Sequence, residues 1–174
     1  MHKYLFILLL ALISTTAFSQ EKKEIDFAAF DKTKVGDKVP DFSFKTIDGK
    51  SYKISELEGK TVMLVFFATW CGPCMKELPR IETEIWEKYK SDDFMVVALG
   101  RDHSMEEIEK FNANKGFTFP IGPDPEHKIY GLFFEKYIPR NVLINKEGKI
   151  IYQKQGYRDE DVKNLKSLLE EQIM

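Results

Sequence analysis

The chain has 174 residues, of which 43% are hydrophobic and 31% are charged, and its formal net charge is −2. This balance is typical of one globular domain. The sequence has no basic stripe interleaved with aromatic residues, which disfavours nucleic acid as a partner. With only two cysteines, the chain is also not a scaffold held together by several disulfides.

The start of the chain has the pattern of an export signal. Lys3 precedes an apolar stretch, residues 4–13, that is too short to span a bilayer comfortably. Residues 17–19 fit the small-x-small cleavage pattern, so we expect residues 1–19 to be a signal peptide cleaved after Ser19. The protein is then periplasmic or otherwise exported, where disulfides persist. An uncleaved membrane anchor is the alternative.

The remainder divides into a short extension and one domain. Residues 20–34 are charged, and their few apolar residues do not repeat cleanly, so we interpret them as an N-terminal extension or tether. The domain is expected to span residues 35–174. It begins with a predicted β-hairpin, because residues 42–46 alternate in polarity and an Asp-Gly turn signal precedes residues 51–54.

The two cysteines lie where a strand passes into a helix. The apolar run of residues 62–67 is short and rich in β-branched and aromatic side chains, which predicts a buried central strand. Gly72 and Pro73 break that strand, and a proline suits the first turn of a helix. Cys71 is therefore expected at the helix N-terminus, with Cys74 one turn further along on the same side.

This placement predicts thiol–disulfide chemistry. The partial positive charge and unpaired N–H groups of a helix N-terminus favour a thiolate, so the pKa of Cys71 should lie below that of a free cysteine. Cys74 can then attack a mixed disulfide on Cys71 and release the partner. A structural disulfide is a poorer explanation, because closing so short a loop is worth only about 2 kcal/mol of chain entropy.

A metal site at the cysteines is disfavoured. Zinc needs about four ligands, and only His103 and His127 could complete the set. Neither histidine has the usual ligand spacing, so we predict neither a metal nor a cofactor.

Glu77 is the third candidate catalytic residue. The motif helix is expected to run to about Lys90, kinked by Pro79, with an apolar stripe from Leu78 to Tyr89 facing the core. Glu77 lies one turn past the second cysteine, on roughly the same face. A carboxylate near a buried thiol raises the thiol pKa and can exchange a proton with it. A glutamate on the solvated face of the helix is the alternative.

The later part of the chain predicts further strands and helices. Residues 94–99 predict a second buried strand, and His103 after it is expected at the surface of a loop. Ser104, with a glutamate three residues later, predicts a capped helix. Residues 141–144 and 150–153 predict two more strands, and an apolar stripe beyond them predicts a C-terminal helix.

The Trp-Cys-Gly-Pro-Cys sequence at residues 70–74 is the active-site motif of the thioredoxin superfamily, and from about Val35 the chain resembles the exported TlpA/ResA-type thiol–disulfide oxidoreductases. Further segments that carry this resemblance are residues 35–42, 48–50, 57–60, 77–79 and 137–139. The resemblance implies an α/β fold, a thioredoxin-like three-layer sandwich with a mixed central sheet, an N-terminal β-hairpin and a central βα insertion.

The resemblance also implies roles for single residues. Cys71 is the attacking thiolate, Cys74 is the resolving thiol, and Glu77 tunes both. Ordinary thioredoxin has a buried aspartate where this chain has Val65. Partner-binding roles are implied for Trp70, Gly72, Pro73, Ile138 and Pro139. The last two form the expected cis-proline loop facing the cysteines. Arg140 follows where many relatives have threonine, and we expect it to point at an acidic partner surface or into solvent.

Protein dithiols or disulfides are the implied substrates, and reduction is the implied direction, with a membrane electron donor that keeps the protein reduced. Cytochrome c maturation and oxidative-stress repair are both open as cellular roles. The sequence pattern suits a monomer. Contact with the membrane is expected only if the signal segment is uncleaved. Two alternatives stay open. A disulfide-forming oxidant is disfavoured by the Gly-Pro pair between the cysteines. A copper-binding chaperone on the same fold is disfavoured because such chaperones have their two cysteines spaced one residue wider.

Overall fold

The computed structural model describes residues 25–173, so the predicted signal peptide lies outside the described residues. The helices are α1 (Gly72–Arg80), α2 (Glu87–Tyr89), α3 (Met105–Lys115), α4 (Tyr130–Phe133) and α5 (Asp159–Ile173). The strands are β1 (Ser43–Lys45), β2 (Ser51–Lys53), β3 (Thr61–Phe67), β4 (Phe94–Arg101), β5 (Ile121–Asp124), β6 (Arg140–Ile144) and β7 (Ile150–Gln155). None of the helices in this part of the chain is long and apolar enough to cross a membrane.

Five strands form the central sheet, in the order β5-β4-β3-β6-β7. β3 pairs in parallel with β4 and antiparallel with β6, so the sheet is mixed. β1 and β2 pair antiparallel as a separate hairpin. The mixed sheet and the N-terminal hairpin confirm the predicted fold class.

β3 lies at the centre of the sheet and separates two apolar layers. Successive side chains of a strand point to opposite faces. Met63 and Phe67 pack in the layer that contains residues of α1 and α5, whereas Val62 and Phe66 pack in the layer that contains residues of the hairpin and α4. Because every residue of β3 is buried, the sheet is covered on both faces, which gives the three layers.

The helix that follows the cysteines is continuous but irregular. α1 passes into a π-helical stretch, Ile81–Trp86, and then into α2, which ends at Tyr89. Pro79 has no N–H to donate to the preceding turn, and the wider π-helical turns begin just after it. Leu78 and Ile85 are fully buried, which confirms the predicted core-facing stripe.

The segment before the domain, residues 25–34, packs against the sheet through Asp31. Its carboxylate accepts hydrogen bonds from Nη1 of Arg140 at 2.6 Å and from Nε2 of Gln153 at 2.9 Å. The expectation that Arg140 points at a partner or into solvent is wrong. Its side chain is 1% exposed and lies over the ring of Phe134 at 4.3 Å, because Asp31 compensates its charge inside the protein.

Candidate active site

Cys71 and Cys74 form a disulfide at the start of α1, with 5.3 Å between their Cα atoms. Cys71 is the N-cap of the helix, and its Sγ accepts a hydrogen bond from the backbone N–H of Cys74 at 3.3 Å. Cys71 is 5% exposed, and Cys74 is fully buried. The first cysteine therefore lies where the positive end of the helix favours a thiolate once the disulfide is reduced.

The residues that the sequence associated with partner binding lie in the turn and first helical residues around Cys71 and in the loop before β6. Trp70, Gly72 and Pro73 are exposed, and Trp70 is 70% exposed. The Ile138–Pro139 peptide bond is cis, as expected. Ile138 packs against the apolar cluster that contains both cysteines. An exposed aromatic side chain therefore directly precedes Cys71, and the loop before β6 lies at the same end of the sheet, since Phe66 of β3 pairs with Arg140 of β6.

Glu77 is a buried acid one turn beyond Cys74, and not a solvated helix residue. It is 1% exposed, and Nδ2 of Asn141 donates a hydrogen bond to its Oε1 at 2.6 Å. Within residues 25–173, its Oε2 has no hydrogen-bond partner. Burial raises the pKa of Glu77 to about 8, the Asn141 hydrogen bond opposes this rise, and the charge of Asp161 adds to it. Glu77 is therefore mostly protonated at neutral pH.

Asn141 is a site residue that the sequence reasoning placed in a strand without giving it a role. It is 1% exposed in β6, and its amide is the hydrogen-bond donor to Glu77. Buried polar side chains are nearly always hydrogen-bonded. The sequence signal that could have identified Asn141 is a carboxamide side chain directly before the apolar run of residues 142–144.

His103 is a second residue that sequence reasoning missed. The expectation of a surface loop position is wrong, since its side chain is 6% exposed and Nε2 accepts a hydrogen bond from the backbone N–H of Thr69 at 3.0 Å. The ring turns inward because a backbone N–H shielded from water needs an acceptor. No spacing rule connects positions 34 residues apart, so the sequence carried no signal for this contact.

The fold and the site together define a class of protein. A mixed sheet with a hairpin added at its N-terminal side carries a Cys-x-x-Cys disulfide at a helix N-terminus, beside a cis-proline loop. Reversible exchange between a dithiol and a disulfide is the chemistry of such a pair. The arrangement is that of the thioredoxin-like thiol–disulfide oxidoreductases.

Comparison with known proteins gives the family. The chain belongs to the Redoxin family, whose model matches residues 34–169. It is 32% identical over 152 residues to the thiol-disulfide oxidoreductase ResA of Bacillus thuringiensis (strain Al Hakam), covering 87% of each chain. It is 31% identical over 125 residues to the protein of the same name from Bacillus subtilis (strain 168), covering 72% of this chain and 69% of that one.

Solved structures agree with this assignment. A solution structure from Bacteroides thetaiotaomicron, provisionally named a protein disulfide isomerase, superimposes with a TM-score of 0.79 at 38% identity, over 83% of this chain and 92% of that one. A crystal structure from Chlorobium tepidum, provisionally named thiol:disulfide interchange protein DsbE, gives a TM-score of 0.70 at 33% identity, over 81% and 99%. The protein is a thiol–disulfide oxidoreductase of the ResA/DsbE type, a class that acts on protein thiols and disulfides.

Proposed function

We propose that this protein is an exported reductase of protein disulfides, in which Cys71 is the attacking thiol and Cys74 the resolving thiol. The observation that carries the proposal is a Cys-x-x-Cys disulfide at the N-terminus of α1, with a buried carboxyl one turn behind it. Residues 35–174 form the proposed catalytic domain, and residues 1–19 the proposed export signal cleaved after Ser19.

The exchange proceeds in two displacements. The Cys71 thiolate attacks one sulfur of the substrate disulfide, so that a Cys71–substrate bond forms, the substrate S–S bond breaks and one substrate thiolate leaves. The Cys74 thiolate then attacks Sγ of Cys71 and expels the second substrate thiolate. Two electrons have passed to the substrate, and the protein holds the Cys71–Cys74 disulfide. A dithiol on a membrane electron donor is the proposed reductant that restores the starting state.

Glu77 is the proposed proton partner of the buried resolving thiol. Cys74 is fully buried, so its proton needs an acceptor within the protein before it can attack. The pKa of Glu77, raised to about 8 by burial, is close to the value of about 8.5 for an ordinary thiol. Proton transfer between groups of matched pKa costs little in either direction, so the minor ionised fraction of Glu77 can take the proton of Cys74 and protonated Glu77 can return it in the other half-reaction.

The proposed partner-binding surface consists of Trp70, Gly72, Pro73 and the Ile138–Pro139 backbone. Trp70 supplies exposed aromatic area next to the disulfide, and the backbone of Ile138 can pair with an extended substrate segment as an added strand. The Gly-Pro pair between the cysteines, which is the pair of reducing thioredoxins, supports the reducing direction. Apocytochrome c, with its cysteine pair reduced before haem attachment, is the substrate that we propose to test first.

The variant Cys74→Ser tests the assignment of the two thiols. Without the resolving thiol, Cys71 should stay bound to its substrate as a mixed disulfide that dithiothreitol releases. The variant with both cysteines replaced by serine is the matched control. If Cys74→Ser accumulates no more adduct in the exported compartment than this control, the proposed exchange is wrong.

The direction of exchange is tested by the reduction potential of the Cys71–Cys74 pair, measured by equilibration against a dithiol buffer. A value near that of thioredoxin, about −270 mV, is expected for a reductant. A value near about −120 mV, as in the periplasmic oxidant DsbA, would make the protein a disulfide donor.

A further inference from the structure

His103 is a buried titratable group that the exchange chemistry does not use. It lies beside the cysteines because β3 and β4 are parallel and end together, with Phe67 opposite Gly100. The chain after β3 leads to Cys71, and the chain after β4 leads to His103, so the two connections are neighbours. A Cβ added on Gly100 would lie 3.2 Å from Cδ2 of the ring, so the absence of a side chain at Gly100 leaves space for the imidazole.

The hydrogen bond between Thr69 and His103 requires a neutral imidazole. A backbone N–H can only donate, so Nε2 must accept with its lone pair and the ring proton must lie on Nδ1. Nδ1 has no hydrogen-bond partner within residues 25–173 and lies 3.7 Å from Oε2 of Glu107. A second proton, on Nε2, would turn this nitrogen into a donor that faces the donor N–H of Thr69. The Thr69–His103 bond cannot survive that protonation.

This hydrogen bond holds the backbone just before Cys71. The segment turns sharply there, since the N–H of Cys71 donates to the carbonyl oxygen of Ala68 at 3.1 Å. Trp70 within the turn is 70% exposed, so its side chain contributes little packing. Ala68 and Cys71 are buried in the apolar cluster, and the hydrogen bond to His103 ties the turn to the loop after β4.

We propose that neutral His103 is a positioning residue, which holds residues 68–71 in place, and that a second proton on its ring releases them and slows the exchange reactions of Cys71. The inference takes Cys71 as the reacting thiol of the proposed function. It is independent of the direction of exchange and of the substrate.

Other titratable and charged groups around this histidine must be separated from it. Glu107 of α3 is the carboxylate closest to Nδ1, and Arg101 and Asp102 precede His103 in the chain. Asp102 pairs with the exposed His127 at 2.7 Å. The backbone N–H of Asp102 donates to the carbonyl oxygen of Asp124. Glu77 also titrates near the cysteines. A substitution at His103 leaves all of these groups in place, so the difference from wild type isolates the histidine.

The test is the rate constant for reduction of the Cys71–Cys74 disulfide by dithiothreitol, measured between about pH 5 and pH 8. His103→Leu has no acceptor for Thr69 and should react about tenfold more slowly at pH 8. His103→Gln offers an amide oxygen that does not titrate, so it should restore the rate at pH 8 and lack the additional fall of wild type at acid pH. His127→Gln, which replaces the exposed histidine, is the matched control and should follow wild type throughout.

Wild-type rates for His103→Leu at every pH would overturn the anchoring role. If His103→Gln shows the same fall at acid pH as wild type, or if His127→Gln loses that fall, the fall does not arise from the Thr69–His103 hydrogen bond and the proposal is wrong. If circular dichroism shows that His103→Leu does not fold, the comparison of His103→Gln with wild type decides alone. The purified protein and a small dithiol suffice for this test, so its result is distinct from the failure of Cys74→Ser to trap a substrate.

Discussion

Glu77 binds its proton more tightly in the folded protein than in the unfolded chain. Burial raises its pKa from the ordinary value of 4.5 to about 8, so between these values the folded state carries more protons. Stability therefore falls as the pH rises through this window and levels off above it. Relative to Glu77→Gln, which stays neutral, the wild-type free energy of unfolding should fall by roughly 3 to 5 kcal/mol between about pH 4.5 and pH 8.

Urea denaturation of the disulfide form at several pH values measures this difference, because oxidised cysteines do not titrate. Glu56→Gln, at an exposed carboxylate, is the control. Curves for Glu77→Gln that run parallel to both wild type and the control would show that Glu77 ionises as easily inside the protein as outside it.

Residues of the site differ in how far the sequence could predict them. Cys71, Cys74 and Glu77 follow one another on one helix, so helical geometry places them together from spacing alone. Their partners come from distant positions: Asn141 is 64 residues from Glu77, and His103 is 34 residues from Thr69. Those contacts depend on which strands are neighbours in the sheet, and spacing along the chain does not carry that information.

At the scale of elements, the segment of residues 25–34 is held to β6 by one buried ion pair. Arg140 is 1% exposed, and Asp31 is its carboxylate partner at 2.6 Å. Asp31→Asn would leave the guanidinium buried without a counter-charge, which should lower the free energy of unfolding by about 3–5 kcal/mol. Asp41→Asn removes the partner of Lys53 in an exposed pair and should cost no more than about 1 kcal/mol. Equal urea midpoints for the two variants would contradict this assignment.

The hairpin of β1 and β2 docks on the edge of the sheet at Gly122. A Cβ on this residue of β5 would overlap the carbonyl oxygen of Lys45, and the N–H of Ile47 donates to the carbonyl oxygen of Ile121 at 2.9 Å. Gly122→Ala should therefore push the hairpin away and cost roughly 1–3 kcal/mol in the free energy of unfolding.

The matched control for this substitution is Gly131→Ala. Gly131 lies in α4, where the nearest atom to an added Cβ is 3.9 Å away. Alanine is also the better helix former, so this variant should be neutral or more stable by up to about 1 kcal/mol. Both variants are measured by urea denaturation, and a Gly122→Ala protein as stable as the control would mean that the hairpin moves aside at no cost.

Element types were predictable where one physical pattern dominated. The buried run that forms β3 and the apolar stripe of α5 gave the correct elements, because burial sets the period of the apolar residues. The irregular parts were not predictable in detail. Pro79 indicated a disturbance of the helix, and the sequence did not predict that it takes the form of a π-helical stretch, Ile81–Trp86, because the missing N–H can be accommodated in more than one way.

At the scale of the whole molecule, the architecture brings three chain segments to one end of the sheet. The motif segment, which continues into α1 with Glu77, follows β3, the His103 loop follows β4, and the Ile138–Pro139 loop precedes β6. Strands that run antiparallel to β3 begin where β3 ends, which places the loop before β6 beside the cysteines. The order of strands in the sheet therefore brings the His103 loop and the cis-proline loop to the cysteine motif, whose own three residues are placed by the helix.

The redox state of the cysteine pair should in turn change the stability of the whole fold. The strong oxidant DsbA has a high potential because its reduced form is stabilised. A reductant has the opposite bias, so we predict that the oxidised protein is more stable to urea than the reduced protein by about 2 kcal/mol or more, the loop-closure contribution alone being about 2 kcal/mol. The double variant Cys71→Ser, Cys74→Ser should show no response to dithiothreitol. A reduced form more stable than the oxidised form would reverse the proposed direction of exchange and leave the fold and the two-thiol chemistry intact.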